Sequence, residues 1–153
     1  MIDAFHDLLS SLGQQLKIPL HPDKKGACTL NIRKILSVQL EYEPSRERIL
    51  MATFVAEVPP GKLRENILRD ALRAHFPYPE LGSFGYSERN NKLSLFHYIP
   101  IHGLTGEKCA TILSAFIDKA LKWKEAIEMG QTATLIPGGS TTSTQLSPFN
   151  LKP

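Results

Sequence analysis

Ile49-Leu50-Met51-Ala52-Thr53-Phe54-Val55-Ala56-Glu57-Val58-Pro59-Pro60-Gly61 is the stretch that decides the fold. On an extended chain Ile49, Met51 and Val55 point one way and Leu50, Phe54 and Val58 the other, so this strand carries apolar side chains on both faces. Both faces want cover. Either helices lie on both sides of a central strand, or one face packs on the core while the other meets a partner. Pro59-Pro60-Gly61 ends the strand, because proline cannot donate to a sheet ladder.

Two half-buried strands precede it. In the first, Cys28, Leu30 and Ile32 alternate with Thr29, Asn31 and Arg33. In the second, Leu36, Val38, Leu40 and Tyr42 alternate with Ser37, Gln39, Glu41 and Glu43. The link through Lys34 and Ile35 is short, so the two form an antiparallel pair. Further upstream, beyond the turn-rich run His21 to Gly26, Ile2, Phe5, Leu9, Leu12 and Leu16 recur at steps of three and four. They predict an amphipathic helix that ends before Pro19, with Asp3 and Asp7 at its positive N-terminal end. Leu8 falls beside this stripe and is left over for a partner.

Downstream of Gly61, Leu63, Ile67, Leu68, Ala71, Leu72 and Phe76 predict a short helix ending at Pro77. Its apolar positions form two rows, Leu63/Ile67/Ala71 and Leu68/Leu72/Phe76. One contact with a sheet leaves one row partly uncovered, and self-association is one way to cover it. A link from Pro79 to Gly85 leads into a strand with Phe84 and Tyr86, then a turn at Arg89-Asn90-Asn91-Lys92, then a strand from Leu93 to Pro100 that is apolar on both faces. A last helix spans about residues 106–130, with Cys109, Ile112, Leu113, Phe116, Ile117, Ala120, Leu121 and Ile127 as its core stripe.

From Gln131 the composition turns to Thr, Ser, Gly, Pro and Gln, and Lys152 is the only charge. The expected organisation is a folded domain over 1–130 and a disordered polar tail over 131–153. The tail's Ala133, Leu135, Ile136, Leu146, Phe149 and Leu151 are too sparse for a core and sufficient for a short docking motif; the other reading is an inert tail.

Composition excludes several classes. A chain of 153 residues with 42% hydrophobic residues supports one core. Its net charge of +3 is spread among interspersed acids and bases, and Phe84, Tyr86, Arg89, Lys92, Phe96 and Tyr98 lack the pattern of an RNA-binding strand, so nucleic acid is not the expected partner. Cys28 and Cys109 have neither metal nor redox spacing and read as buried small hydrophobes. None of His6, His21, His75, His97 and His102 belongs to a catalytic motif, and no glycine-rich phosphate loop lies between a strand and a helix. Neither a secretory signal nor a long apolar span is present, which fits a cytoplasmic protein. The chain reads as a binding module, not an enzyme, with no cofactor and no metal.

The order helix, three strands, helix, two strands, helix over residues 1–130 resembles the type III secretion effector chaperones of the Tir-chaperone (class I) family. The opening helix Ile2 to Leu16 with its Leu8-Leu9 and Leu12-Gly13 steps carries the likeness, together with the strands Ile49 to Val58 and Leu93 to Pro100. The resemblance implies an α+β homodimer built on an antiparallel twisted sheet of about five strands with three helices, α-β-β-β-α-β-β-α. It implies a cytoplasmic bacterial protein serving virulence that binds extended N-terminal segments of secreted effectors, with the secretion ATPase as a further partner and no insertion into a membrane. A non-export adaptor of the same fold is the alternative. A dimer contact is implied at Leu63, Ile67, Ala71, Leu72 and Phe84. Strand addition with apolar pockets is the expected mode of client binding. Its candidates are Leu8, Leu12, Leu30, Ile32 and Leu40 in a groove of the first helix and strands, and Met51, Phe54, Phe96 and Tyr98 on the third and fifth strands. Family members are usually acidic, and this chain departs from them in being basic.

Overall fold

A computed structural model describes residues 2–131. In chain order the elements are α1 (Ile2–Leu16), β1 (Ala27–Ile32), β2 (Leu36–Glu43), β3 (Arg48–Glu57), α2 (Lys62–Arg73), β4 (Ser83–Ser87), β5 (Lys92–Pro100) and α3 (Gly106–Glu128). A 3₁₀ turn, Pro44–Arg46, joins β2 to β3. The five strands form one antiparallel sheet in the order β1-β2-β3-β5-β4, so β3 is its centre.

The β1–β2 link is as tight as the alternation requires. Arg33 and Lys34 both take left-handed backbone (φ 52° and 63°), and the Ile35 N–H donates to the Ile32 carbonyl at 3.0 Å. Neither residue is a glycine or asparagine, so the hairpin is forced by pairing of the flanking apolar positions and not by its turn residues. At the other boundary the sequence pattern overshoots. Regular α2 stops at Arg73, and His75 and Phe76 bond back by only three residues, to Leu72 and Arg73. Pro77 disfavours helical backbone at the residue before it, which tightens and ends the turn.

β3 departs from simple alternation. The register against β5 shifts between Phe54 and Ala56, and consecutive Val55 and Ala56 are both buried. A bulge of this kind advances the side-chain phase by one residue. Val58 therefore joins Ile49, Met51 and Val55 in the core at 1% exposure, where alternation had grouped it with Leu50 and Phe54.

Helices cover one face of β3 only. α3 lies against both α1 and β3, and Phe5 of α1 stacks on Tyr42 of β2 with ring centroids 5.8 Å apart. Phe5, Leu9, Leu12, Leu113 and Phe116 join Ile49, Met51 and Leu95 in a single core. Because α1 is flanked by α3 as well as by the sheet, its covered arc is wide. Leu8, expected to be free for a partner, is 6% exposed and belongs to that core. Cys28 and Cys109 are free and buried, as the small-hydrophobe reading expects, and burial pushes the Cys109 thiol up to about 11.

α1 and α3 approach closely at Gly106, the first residue of α3. A Cβ there would lie 2.2 Å from Ser11 Oγ and 2.6 Å from the Ser11 carbonyl carbon. Gly106→Ala should therefore cost about 1–3 kcal/mol by forcing the helices apart; urea denaturation of the two proteins measures it, and an unchanged midpoint would show that the pair separates without cost.

Candidate functional site

The face of the sheet turned away from the helices is split by chemistry. On β3 and β5, Leu50 stands opposite Tyr98, Ala52 opposite Phe96 and Phe54 opposite Ser94. Phe54 is 50% and Tyr98 40% exposed, and Leu50, Ala52 and Phe96 are half-buried. On β1 and β2 the same face presents Thr29, Asn31, Ser37 and Gln39, all exposed and uncharged. One half can take apolar side chains and the other can hydrogen-bond a polar chain lying across it.

Local contacts fix the aromatic half. Phe96 and Tyr98 meet edge to face at 6.1 Å and 75°, an arrangement favoured by the ring quadrupoles. The Arg48 guanidinium lies 3.6 Å above the Tyr98 ring and its Nε donates to Glu43 Oε2 at 2.6 Å, so one side chain braces both the ring and the neighbouring strand. Lys92 Nζ is 5.7 Å from the centre of the Phe54 ring. An open groove of about 570 Å³ runs past the bulge, lined by Thr29, Ser37, Gln39, Ala52, Phe54 and Ser94 of this face and bordered by Ile35 and by Lys124 of α3.

The two sheet edges differ. At β1, Asp23 closes only the start: its Oδ1 accepts from the Ala27 N–H at 3.0 Å and from the Lys25 N–H at 2.7 Å. These bonds hold the Asp23 carboxyl below the usual carboxylate range. The rest of β1 is an edge strand of the kind that accepts an added strand. At β4, α2 and its following turn lie over the edge. His75 Nε2 accepts the Phe84 N–H at 2.7 Å, and the two rings stack at 6.0 Å. Behind them Trp123 packs on Phe84 at 4.4 Å, while Lys119 Nζ sits 5.2 Å from the Phe84 ring and donates to the Glu80 carbonyl. Burial, and secondarily the charge of Lys119, lower the pKa of both His75 and His97. Burial also lowers that of Lys119, against the opposing pull of Glu80.

The residues singled out in the sequence divide sharply. Phe54, Phe96 and Tyr98 come together on the open face, joined by Leu50 and Ala52. Met51 does not join them: it is fully buried on the opposite face, where the alternation of β3 itself puts it. Leu8, Leu12, Leu30 and Leu40 are 6%, 0%, 3% and 1% exposed and fill the core between α1 and the sheet, with Ile32 half-buried at its margin. On α2, Ile67, Ala71 and Phe84 of the expected dimer contact are buried within one chain and Leu63 is half-buried. Leu72, at 69% exposure, is the open member. It continues into Phe76 and Tyr78, 44% and 66% exposed, with Leu68 half-buried beside it. Open-face residues Leu50 and Ala52 were the ones sequence reasoning did not select; the two-faced apolar pattern of β3 was the signal for Leu50. The tail expected over 131–153 lies, but for Gln131, outside the described residues.

Among the described residues no three His, Cys, Asp or Glu side chains are grouped to hold a metal ion, and no helix is long and apolar enough to cross a membrane. A sheet with one helix-covered face, one open apolar face and one accessible edge defines a protein-binding α+β module. The Tir chaperone protein (CesT) family model matches residues 7–124, and the chain belongs to that family. No curated protein matches the sequence. Among solved structures, the chain is similar to one in the HopA1-SchA chaperone-effector complex, at TM-score 0.68 and 21% identity, covering 82% of this chain and 96% of that one. It is also similar to a chain in the ExsC-ExsE complex, at TM-score 0.66 and 23% identity over 83% and 96% of the two chains. A third similar chain occurs in the structure of the Yersinia pestis type III secretion chaperone SycH with a stable fragment of YscM2, at TM-score 0.62 and 17% identity over 78% and 98%. The architecture is that of this family: three helices and a five-stranded antiparallel sheet.

Two outcomes follow. Phe54→Asp should leave thermal stability within about 1 kcal/mol of the parent, whereas Met51→Asp, which buries an unpaired carboxylate, should prevent folding; circular dichroism melts compare them. The second concerns pH. His75 and His97 have pKa values below the unfolded value near 6.5, so the unfolded chain binds protons first as pH falls. Stability should be complete above about pH 6.5 and decline as pH drops from there through the lowered folded values. His75→Gln should flatten part of that decline in melts between pH 7.5 and 5, and an identical slope would remove His75 as a contributor.

Proposed function

We propose that the chain is a type III secretion chaperone. It binds the extended N-terminal segment of a secreted effector and keeps that segment stable and competent for export. The observation that supports this most directly is the open, half-apolar sheet face beside an accessible β1 edge, in a chain of the CesT family. A client strand laid along β1 would satisfy its main chain at the edge. A second client segment, crossing β1 and β2, would reach Leu50, Phe54, Phe96 and Tyr98 on the face of β3 and β5. Leu8, Leu12, Leu30 and Leu40, expected along a groove between α1 and the first strands, are buried within one chain. The apolar contact is therefore assigned to the face of β3 and β5.

The working unit in this reading is a homodimer. The exposed row Leu68, Leu72, Phe76 and Tyr78 supplies a patch that a two-fold axis would bury on both subunits. Ile67, Ala71 and Phe84 support that row from inside the chain. The protein acts in the bacterial cytoplasm, uses no cofactor and catalyses no reaction, because its task is to hold a partner unfolded.

The test is coexpression with N-terminal fragments of effectors from the same bacterium, followed by purification and light scattering. A dimer carrying the fragment is the expected result, and Phe96→Asp should weaken fragment binding at least about tenfold while far-UV circular dichroism shows the fold retained. Fragment binding that survives both Phe54→Asp and Phe96→Asp would remove the open face from the site, and capture of folded partners only would favour an adaptor. Leu72→Asp should convert the dimer to a monomer at micromolar concentration while far-UV circular dichroism stays constant; a dimer that persists would place the two-fold contact elsewhere.

A further inference from the structure

The open face has a candidate occupant within the same chain. The groove that runs across it is bordered by Lys124, on the last turns of α3, together with Ile35, Ser37, Phe54 and Ser94. α3 ends at Glu128, one turn past Lys124, and Gln131 closes it by donating its N–H to the Ala126 carbonyl. The chain beyond Gln131 thus continues from the helix whose Lys124 borders the groove. Residues 132–153 also lie beyond the part shared with the family, which stops at residue 124.

The composition of that segment fits the two halves of the face. Residues 132–145 are mostly Thr, Ser and Gly with no charge, matching the uncharged polar half formed by Thr29, Asn31, Ser37 and Gln39. Phe149 and Leu151 flank Asn150 at the two-residue spacing that puts both on one side of an extended chain, and Pro148 favours extended backbone before it. Lys152, the segment's only charge, follows Leu151. Glu41 is exposed and stands directly across from Leu50 at the Tyr98 end of the apolar half. With Leu151 seated on Leu50 and Tyr98, Glu41 lies beside the end of the segment, where the long Lys152 side chain can fold back toward it. Reach is no obstacle: the interval from Gln131 to Phe149 can span on the order of 60 Å when extended.

We propose that residues 146–152, Leu-Ser-Pro-Phe-Asn-Leu-Lys, dock in cis on the apolar half of the open sheet face, with Phe149 and Leu151 as anchors. The consequence rests on the reading above of that face as the effector site. An attached segment acts at an effective concentration of the order of millimolar, so it covers the patch when no effector is present and is displaced when one binds. It shields exposed aromatic surface from nonspecific association, and it sets a threshold affinity that an effector segment must exceed.

The test uses the full chain, with no effector. Asn150→Cys is labelled with a nitroxide; Cys28 and Cys109 are buried and do not compete for the reagent. Docking should broaden the amide signals of Leu50, Ala52, Phe96 and Tyr98 selectively in the ¹⁵N-labelled chain, and the double variant Phe149→Asp/Leu151→Asp should restore them. Broadening spread evenly over the surface, or confined to α2, overturns the proposal. Mixing nitroxide-bearing unlabelled chain with nitroxide-free ¹⁵N chain separates copies: docking in cis leaves the mixture unbroadened, and selective broadening in the mixture makes the occupant a second molecule and overturns docking in cis. The effect on effectors is read separately. An N-terminal effector fragment should bind Phe149→Asp/Leu151→Asp about three- to tenfold more tightly than the parent. Unchanged affinity alongside selective broadening overturns the threshold role. Failure of the effector reading itself appears as Phe96→Asp leaving fragment binding intact, while the nitroxide result stands.

Discussion

Everything in this molecule depends on how β3 is covered. It is the central strand of five and carries apolar residues on both faces, yet α1 and α3 pack on one of them alone. The covered face holds Ile49, Met51 and Val55 in a close-packed core with Leu12, Leu95 and Phe116. The other keeps Leu50, Phe54, Phe96 and Tyr98 at the surface, where their apolar area is stabilised only in part by edge-to-face rings and by Arg48. A single domain with a patch of this kind exposed carries the free-energy gain of covering it as a reserve for binding.

The bulge at Phe54–Ala56 is the device that makes the asymmetry workable. It lets Val55, Ala56 and Val58 all enter the core while Phe54 stays out, so the strand end is sealed toward α3 and open toward solvent. The same irregularity shapes the groove beside Phe54 that Lys124 borders. At the far edge of the sheet, the His75 bond to the Phe84 main chain ties α2 to β4 and leaves Leu72, Phe76 and Tyr78 outward. Two apolar surfaces thus stay outside one core. In the proposed function one takes an extended client and the other a second copy of the chain.

The particular residues chosen from the sequence show what alternation reports about burial. Phe54, Phe96 and Tyr98 share the open face, because period-two alternation reports the face of a strand directly. Leu8, Leu12, Leu30 and Leu40 were drawn toward a groove because an apolar residue on a helix or strand looks the same whether its cover is its own chain or a partner. Ile67, Ala71 and Phe84 illustrate the same ambiguity on α2 and β4. The separation into two rows was sound, but which row faced inward was not legible, since both have the same spacing and similar side chains.

Periodicity, prolines and turn residues in the sequence determined the number, type and order of the elements, the antiparallel β1–β2 pair and the excess of apolar surface on β3 and β5. These are local properties, set by the 3.6- and 2-residue repeats and by the backbone limits of proline. Tertiary structure alone decided which apolar face was spent on the core. That choice depends on α3, distant in sequence, coming to lie against α1 and β3 on one side, and on a bulge whose register shift no local pattern announces.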